Sequence, residues 1–217
     1  MRTDRIPPLH AVMDDAVATR GDFVARAGEV LAAGGGDVAL HLRAPAASGR
    51  HMFDLAERLM EMARASGSLL IVNDRADVAM AAGAHGVQLG ARSLAVADAR
   101  KLVGDARLVG ASVHSVDEAR EAVAAGADWL LAGTIYETAS HPGRGGAGVG
   151  LIEEMAALGP PVVAIGGVAP ERVPELRSAG AAGVAAVRGV WDAPSPADAV
   201  RRYLEAWRGA AERTEAG

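Results

Sequence analysis

Two pairs of polar residues spaced two apart carry the first chemical signal: His41 with Arg43 in DVALHLR, and Ser112 with His114 in LVGASVH. Side chains alternate along a strand, so each pair shares a face. An imidazole titrates near neutral pH, which makes His114 the leading candidate for general acid/base work. By residue type alone a strand-end histidine also suits a bond to a backbone carbonyl, and Ser112 fits either role. A third apolar run, SLLIVN, ends in Asn73 and is followed by Asp74 and Arg75.

A glycine-rich turn, Ala164-Ile165-Gly166-Gly167-Val168, reads as a phosphate cradle, because glycines let backbone N–H groups approach an anion. Arg188 and Gly189 in AVRGV suggest a second nest with a cation beside it. The stretch 134–147 (TIYETASHPGRGGA) reads as a lid over substrate. In it Thr134 and Thr138 offer hydroxyls, while Glu137, His141 and Arg144 offer charge. The remaining histidines read as bystanders: His10 and His85 as structural, His51 as a solvated residue opening a helix. There is no HExxH, no carboxylate pair at metal spacing and no GxSxG, so zinc and serine hydrolysis lack support.

Strands are expected at about 9–13, 37–43, 68–73, 86–89, 108–114, 128–134, 161–166 and 183–188. Helical patterns between them include 52–65, 116–125 and 196–208. Such alternation builds a parallel sheet from βα units. Four turns (AAGGGDVAL, AAGAHGVQL, AAGADWLLA and SAGAAGVAA) repeat one device, a helix stopped by glycine and then a strand. An open doubly wound sheet is the alternative. Eight evenly spaced strands are many for that architecture at 217 residues, so a single-domain (β/α)8 barrel is expected over 1–217, with a frayed tail at about 209–217. Function then belongs at the C-terminal strand ends, where the polar residues named above gather.

Composition narrows the classes further. The chain is 50% hydrophobic, 23% charged and 3% aromatic, with net charge −5 and no cysteine. That excludes disulfides, thiolate metal sites and a cysteine nucleophile. No basic block offers a nucleic-acid footprint, and no run approaches a membrane span. A cytoplasmic protein acting on a small molecule is expected, without nucleic acid or membrane as partner; whether it forms a homo-oligomer is open.

Four segments, LHAVMDD, NDRADVAMAAGAHGVQLG, GASVHSVDEAREAVAAGADWLLAGTIYET and VVAIGGVAPERVPELRSAGAAGVAAV, together resemble the thiamine phosphate synthase superfamily. The resemblance implies a (β/α)8 barrel that binds a thiazole ethyl phosphate. It leaves two branches. Synthases join a pyrimidine pyrophosphate to the thiazole with Mg²⁺. Their pattern has Gln-x-Arg-x-Lys on strand two, two metal aspartates and a lysine in the loop after strand six. Here strand two keeps Arg43 but reads His41-Leu42-Arg43-Ala44-Pro45. Asp74 matches the first aspartate, Arg92-Ser93 stands where the second belongs, and His141 stands at the lysine.

The other branch is the TenI-type thiazole tautomerase, which SVHS with an acidic helix start and YET resembles. On that expectation the chain is a metal-independent isomerase with no cofactor, Mg²⁺ entering only under the synthase alternative. His114 would be the proton shuttle, and Arg43 would hold the substrate carboxylate. His41, Asn73, Ser112, Thr134 and Thr138 would contact substrate, and Gly166, Gly167, Arg188 and Gly189 would hold its phosphate. A non-catalytic, thiazole-phosphate-binding regulatory barrel is the third alternative.

Overall fold

Small branched residues crowd every expected strand, and strands of that kind are stable only when covered on both faces. The computed structural model describes residues 6–138 and 145–215, so His141 and Arg144 of the expected lid lie outside the described residues. Eight strands form: β1 (Leu9–Val12), β2 (Val38–Leu42), β3 (Leu69–Asn73), β4 (Gly86–Leu89), β5 (Leu108–Val113), β6 (Trp129–Gly133), β7 (Val162–Ile165) and β8 (Gly183–Ala186). They close into a barrel in chain order, and β8 pairs with β1 in parallel. The fold is a single-domain (β/α)8 barrel.

Around it lie helices α1 (Asp15–Ala18), α2 (Phe23–Gly34), α3 (Gly49–Ser66), α4 (Ala76–Ala81), α5 (Val96–Val103), α6 (Val116–Ala124), α7 (Gly150–Ala156), α8 (Val173–Ser178), α9 (Arg188–Trp191) and α10 (Pro196–Glu215). The last helix runs on to Glu215 where fraying was expected after Arg208; the Ala-Ala-Glu-Arg stretch there favours helix. None of the described helices is long and apolar enough to cross a membrane. The four helix-stopping glycines behave as the repeat suggested: Gly35, Gly83, Gly126 and Gly180 all have positive φ.

Pleating sorts the strand residues by parity. Val38, Leu40 and Leu42 of β2 face the helices, as do Val109, Ala111 and Val113 of β5. Val12, Ala39, Ile71, Trp129, Leu131, Val163 and Ala185 fill the barrel instead. The interior is crowded enough that one position must lack a side chain. A Cβ on Gly110 would lie 2.2 Å from the Trp129 ring and 2.3 Å from Gln88 Oε1. Both neighbours are fully buried and have nowhere to move. Gly110→Ala is therefore expected to destabilise the barrel by about 1–3 kcal/mol through overpacking, seen as a fall of several degrees in Tm. An unchanged Tm would mean the interior is looser than its packing indicates.

Candidate active site

Polar groups occupy one side of the barrel interior. His10, His41, Asn73, Gln88 and Ser112, from β1 to β5, face the apolar Trp129, Leu131, Val163 and Ile165. His10 Nδ1 and His41 Nε2 lie 2.8 Å apart, so one ring donates and the other accepts. Asn73 pairs in register with Gln88, and Gln88 Nε2 donates to Ser112 Oγ at 3.0 Å. This stack leads from the closed interior to the mouth.

Burial pushes the His41 imidazole down to about 4, and burial, with the adjacent His41 ring disfavouring a second charge, pushes His10 well below its usual value. Both rings are neutral at pH 7. Unfolding would restore a pKa near 6.5, so the unfolded chain binds protons that the folded chain refuses as pH falls below that value. Stability should therefore be intact above about pH 7 and decline from about pH 6.5 downward, by up to about 1.4 kcal/mol per pH unit for each ring. Thermal melts between pH 7.5 and 5 read this, and His41→Gln should flatten the slope. A melting temperature flat across that range would contradict the neutral pair.

Above the stack, the C-terminal ends of all eight strands surround a cleft with two lobes, each of about 530 Å³. The lobes share Arg43, Asn73, Ser112 and His114. One lobe, on the side of β2 to β5, adds Asp74, Arg75 and Arg92. The other, on the side of β6, β7, β8 and β1, adds Asp14, Thr134, Thr138, Gly166, Gly167, Arg188 and Gly189.

The glycine lobe is built by close approaches. Gly166 and Gly167 have φ of 100° and 64°, and a Cβ on either would come within 2.8 Å of Thr134 or Tyr136. A Cβ on Gly189 would lie 2.2 Å from the Tyr203 hydroxyl, which itself donates to Val168 O at 2.8 Å. Packing therefore demands these glycines, whatever they bind. Tyr136 Oη donates to Glu175 Oε2 at 2.9 Å, and Arg172 lies over the Tyr136 ring, which fastens the start of the 134–147 stretch to α8. Ala147 N and Gly148 N donate to Thr134 O and Ile135 O, closing its base.

The arginine lobe is shaped by Asp74. Its φ of 65° is the one positive value outside glycine among the described residues. Asp74 N donates to Gln88 O at 2.9 Å, and Asp74 Oδ1 accepts from the Ser93 hydroxyl, whose oxygen also takes the Gly90 N–H. A strained residue held this firmly at a cleft is a functional signal. Arg75 is paired with Asp77, whereas Arg43 and Arg92 make no ion pair among the described residues. Among the described residues Asp74 is the one carboxylate lining this lobe, and no cluster of three acidic, His or Cys groups suited to a metal occurs.

Most residues expected at the site line this cleft. His41 does not: it faces the barrel axis like Arg43 but two residues deeper, fully buried against His10, so its expected substrate contact is corrected to a place beneath the site. His114 lies at the rim, with its side chain 63% exposed and Nδ1 3.3 Å from Glu118 Oε2. Arg75 lines the cleft beside Asn73 as its strand-end place suggested, whereas Asp14 and Arg92 were missed as cleft residues. Each lies within three residues of a strand end, which was the available signal.

The family model described as thiamine monophosphate synthase matches residues 9–190. A thiamine-phosphate synthase of Chlorobium luteolum is 41% identical over 201 residues, covering 91% of this chain and 92% of the relative. Another, of Methanoculleus marisnigri, is 41% identical over 184 residues, covering 84% and 86%. Among solved structures, thiamine phosphate pyrophosphorylase of Pyrococcus furiosus superposes with TM-score 0.81 at 28% identity, covering 93% of this chain and 96% of that one. These relatives are named for synthesis, so the tautomerase and isomerase expectations are corrected, and the shuttle role given to His114 goes with them.

Proposed function

We propose, from the premise that the chain belongs to the thiamine monophosphate synthase family, that it is itself a thiamine-phosphate synthase, joining a thiazole phosphate to a hydroxymethylpyrimidine diphosphate. The observation that carries this reading is the two-lobed cleft. An isomerase of one small phosphate needs one lobe, and a joining enzyme needs two that meet. Here two lobes, one lined by arginines and one by glycine turns, meet at Arg43, Asn73, Ser112 and His114.

The reaction is a displacement at carbon. The thiazole nitrogen's lone pair forms a bond to the pyrimidine's methylene carbon as that carbon's bond to the diphosphate oxygen breaks. The diphosphate leaves with the bonding electrons, and the ring nitrogen becomes positively charged. No proton has to move, so the chain must align two reactants and stabilise a departing anion. The glycine lobe supplies backbone N–H groups and Arg188 for the thiazole's phosphate. The arginine lobe takes the diphosphate. Arg43, at the junction, can reach the charge that develops as the bond breaks.

Mg²⁺ is the metal that the resemblance attaches to such a reaction. One carboxylate with substrate phosphates can hold Mg²⁺. Asp74, however, already accepts the Ser93 hydroxyl and shares its lobe with three guanidiniums that repel a cation, so the described residues fit it poorly. The steps above are accordingly those of the chain's own residues.

Supplied with both precursors, the purified protein should form thiamine phosphate and pyrophosphate one for one, and should leave the thiazole phosphate unchanged when it is offered alone. Arg43→Ala should lower kcat/KM by about 100-fold, the scale of losing one donor to a developing anion. No condensation product, or an Arg43→Ala rate equal to wild type, would overturn the proposal.

A further inference from the structure

We infer that the arginine lobe holds its diphosphate through guanidinium groups, with Arg92 taking the place that a divalent cation would otherwise fill. That the anion is a diphosphate rests on the synthase reading; the rest comes from the lobe itself. Among the described residues its lining carries three arginines, Arg43, Arg75 and Arg92, one carboxylate, Asp74, and the rim imidazole of His114. Arg75 is neutralised by a two-bond pair with Asp77, at 2.8 and 2.6 Å. Arg43 and Arg92 line the lobe and carry no ion pair among the described residues, which leaves both guanidiniums available to an anion there.

Position and freedom separate the two. Arg43 is partly buried at the junction of the lobes, whereas Arg92 is exposed at the rim. Arg92 follows Gly90 in the loop that Ser93 ties to Asp74, so its backbone is anchored while its side chain is free to fold over a ligand. Two guanidiniums lining one lobe can each form paired N–H···O bonds to a diphosphate. A cation in the same place would need several oxygen donors from the chain, substrate and water. Among the described lining residues those donors are the neutral Asn73 and Ser112 and one carboxylate, Asp74, which already accepts from Ser93.

Titration calorimetry with inorganic pyrophosphate, in EDTA and then in excess Mg²⁺, tests this on the intact protein. Wild type should bind pyrophosphate in EDTA. Arg92→Gln should weaken that binding about tenfold or more, and Arg92→Lys should recover part of the loss by restoring charge without the planar fork. Arg120→Gln, on an exposed face of α6, should bind like wild type. Arg92 is exposed, so an unchanged Tm should accompany each loss. Binding that appears only with Mg²⁺, or an Arg92→Gln protein that binds like wild type in EDTA, would overturn the inference.

Condensation assays on the same proteins keep the two claims apart. Product formed with strictly Mg²⁺-dependent pyrophosphate binding would remove the guanidinium clamp and leave the synthase reading. Metal-free binding that Arg92→Gln abolishes, without any condensation, would do the reverse.

Discussion

Closing eight parallel strands leaves an interior that only side chains can fill, and this constraint decides the fate of every strand residue by its parity. Outward residues meet helices and must be apolar. Inward residues meet one another across a few ångströms, so a bulky ring on one strand demands bareness on the next. Trp129 against Gly110 is the clearest case. Function is left to the places where strands end and parity no longer binds the chain.

Polarity inside the barrel is a consequence of what stands above it. Asn73 and Ser112 face the cleft, and the groups below them must offer partners or leave buried polar atoms unpaired. Gln88 supports Ser112, while His41 with His10 closes the bottom of the stack. Keeping both imidazoles neutral avoids a buried charge, at the expense of stability in acid. Some polar atoms still have no partner among the described residues, including Asn73 Oδ1 and Gln88 Oε1. The stack is therefore a support with residual polarity directly under the place where the lobes meet.

Much of this was legible beforehand, because strand period and helix-stopping glycines are local signals. The eight strands fall within a residue or two of their expected bounds, and the recurrent Ala-Gly turn marked four helix ends correctly. The glycine turn after β7 and the polar ends of β3 and β5 also foretold where the cleft would open. Two things were hidden. His41 shares a strand face with Arg43 and lies deeper, and the period of two cannot say how far down the strand the cleft reaches. The pairing of His10 with His41 joins residues on neighbouring strands, and no local pattern carries such a contact. Arg92 was noticed as a missing carboxylate rather than as a charge in its own right. Likeness in the SVHS segment pointed to the tautomerase branch, whereas a relative 41% identical across 91% of the chain is named a synthase, and a short motif constrains the chemistry far less than such overall identity.

The account stands on the cleft holding two anions at once, one against the glycine turns and one among the arginines. Calorimetric titration of the thiazole phosphate, repeated with pyrophosphate present at saturation, tests this most directly. The affinity should be unchanged or improved, because the second anion occupies a separate lobe. A dissociation constant that rises in proportion to the pyrophosphate present would mean that both compete for one place, and the two-lobed site would be wrong.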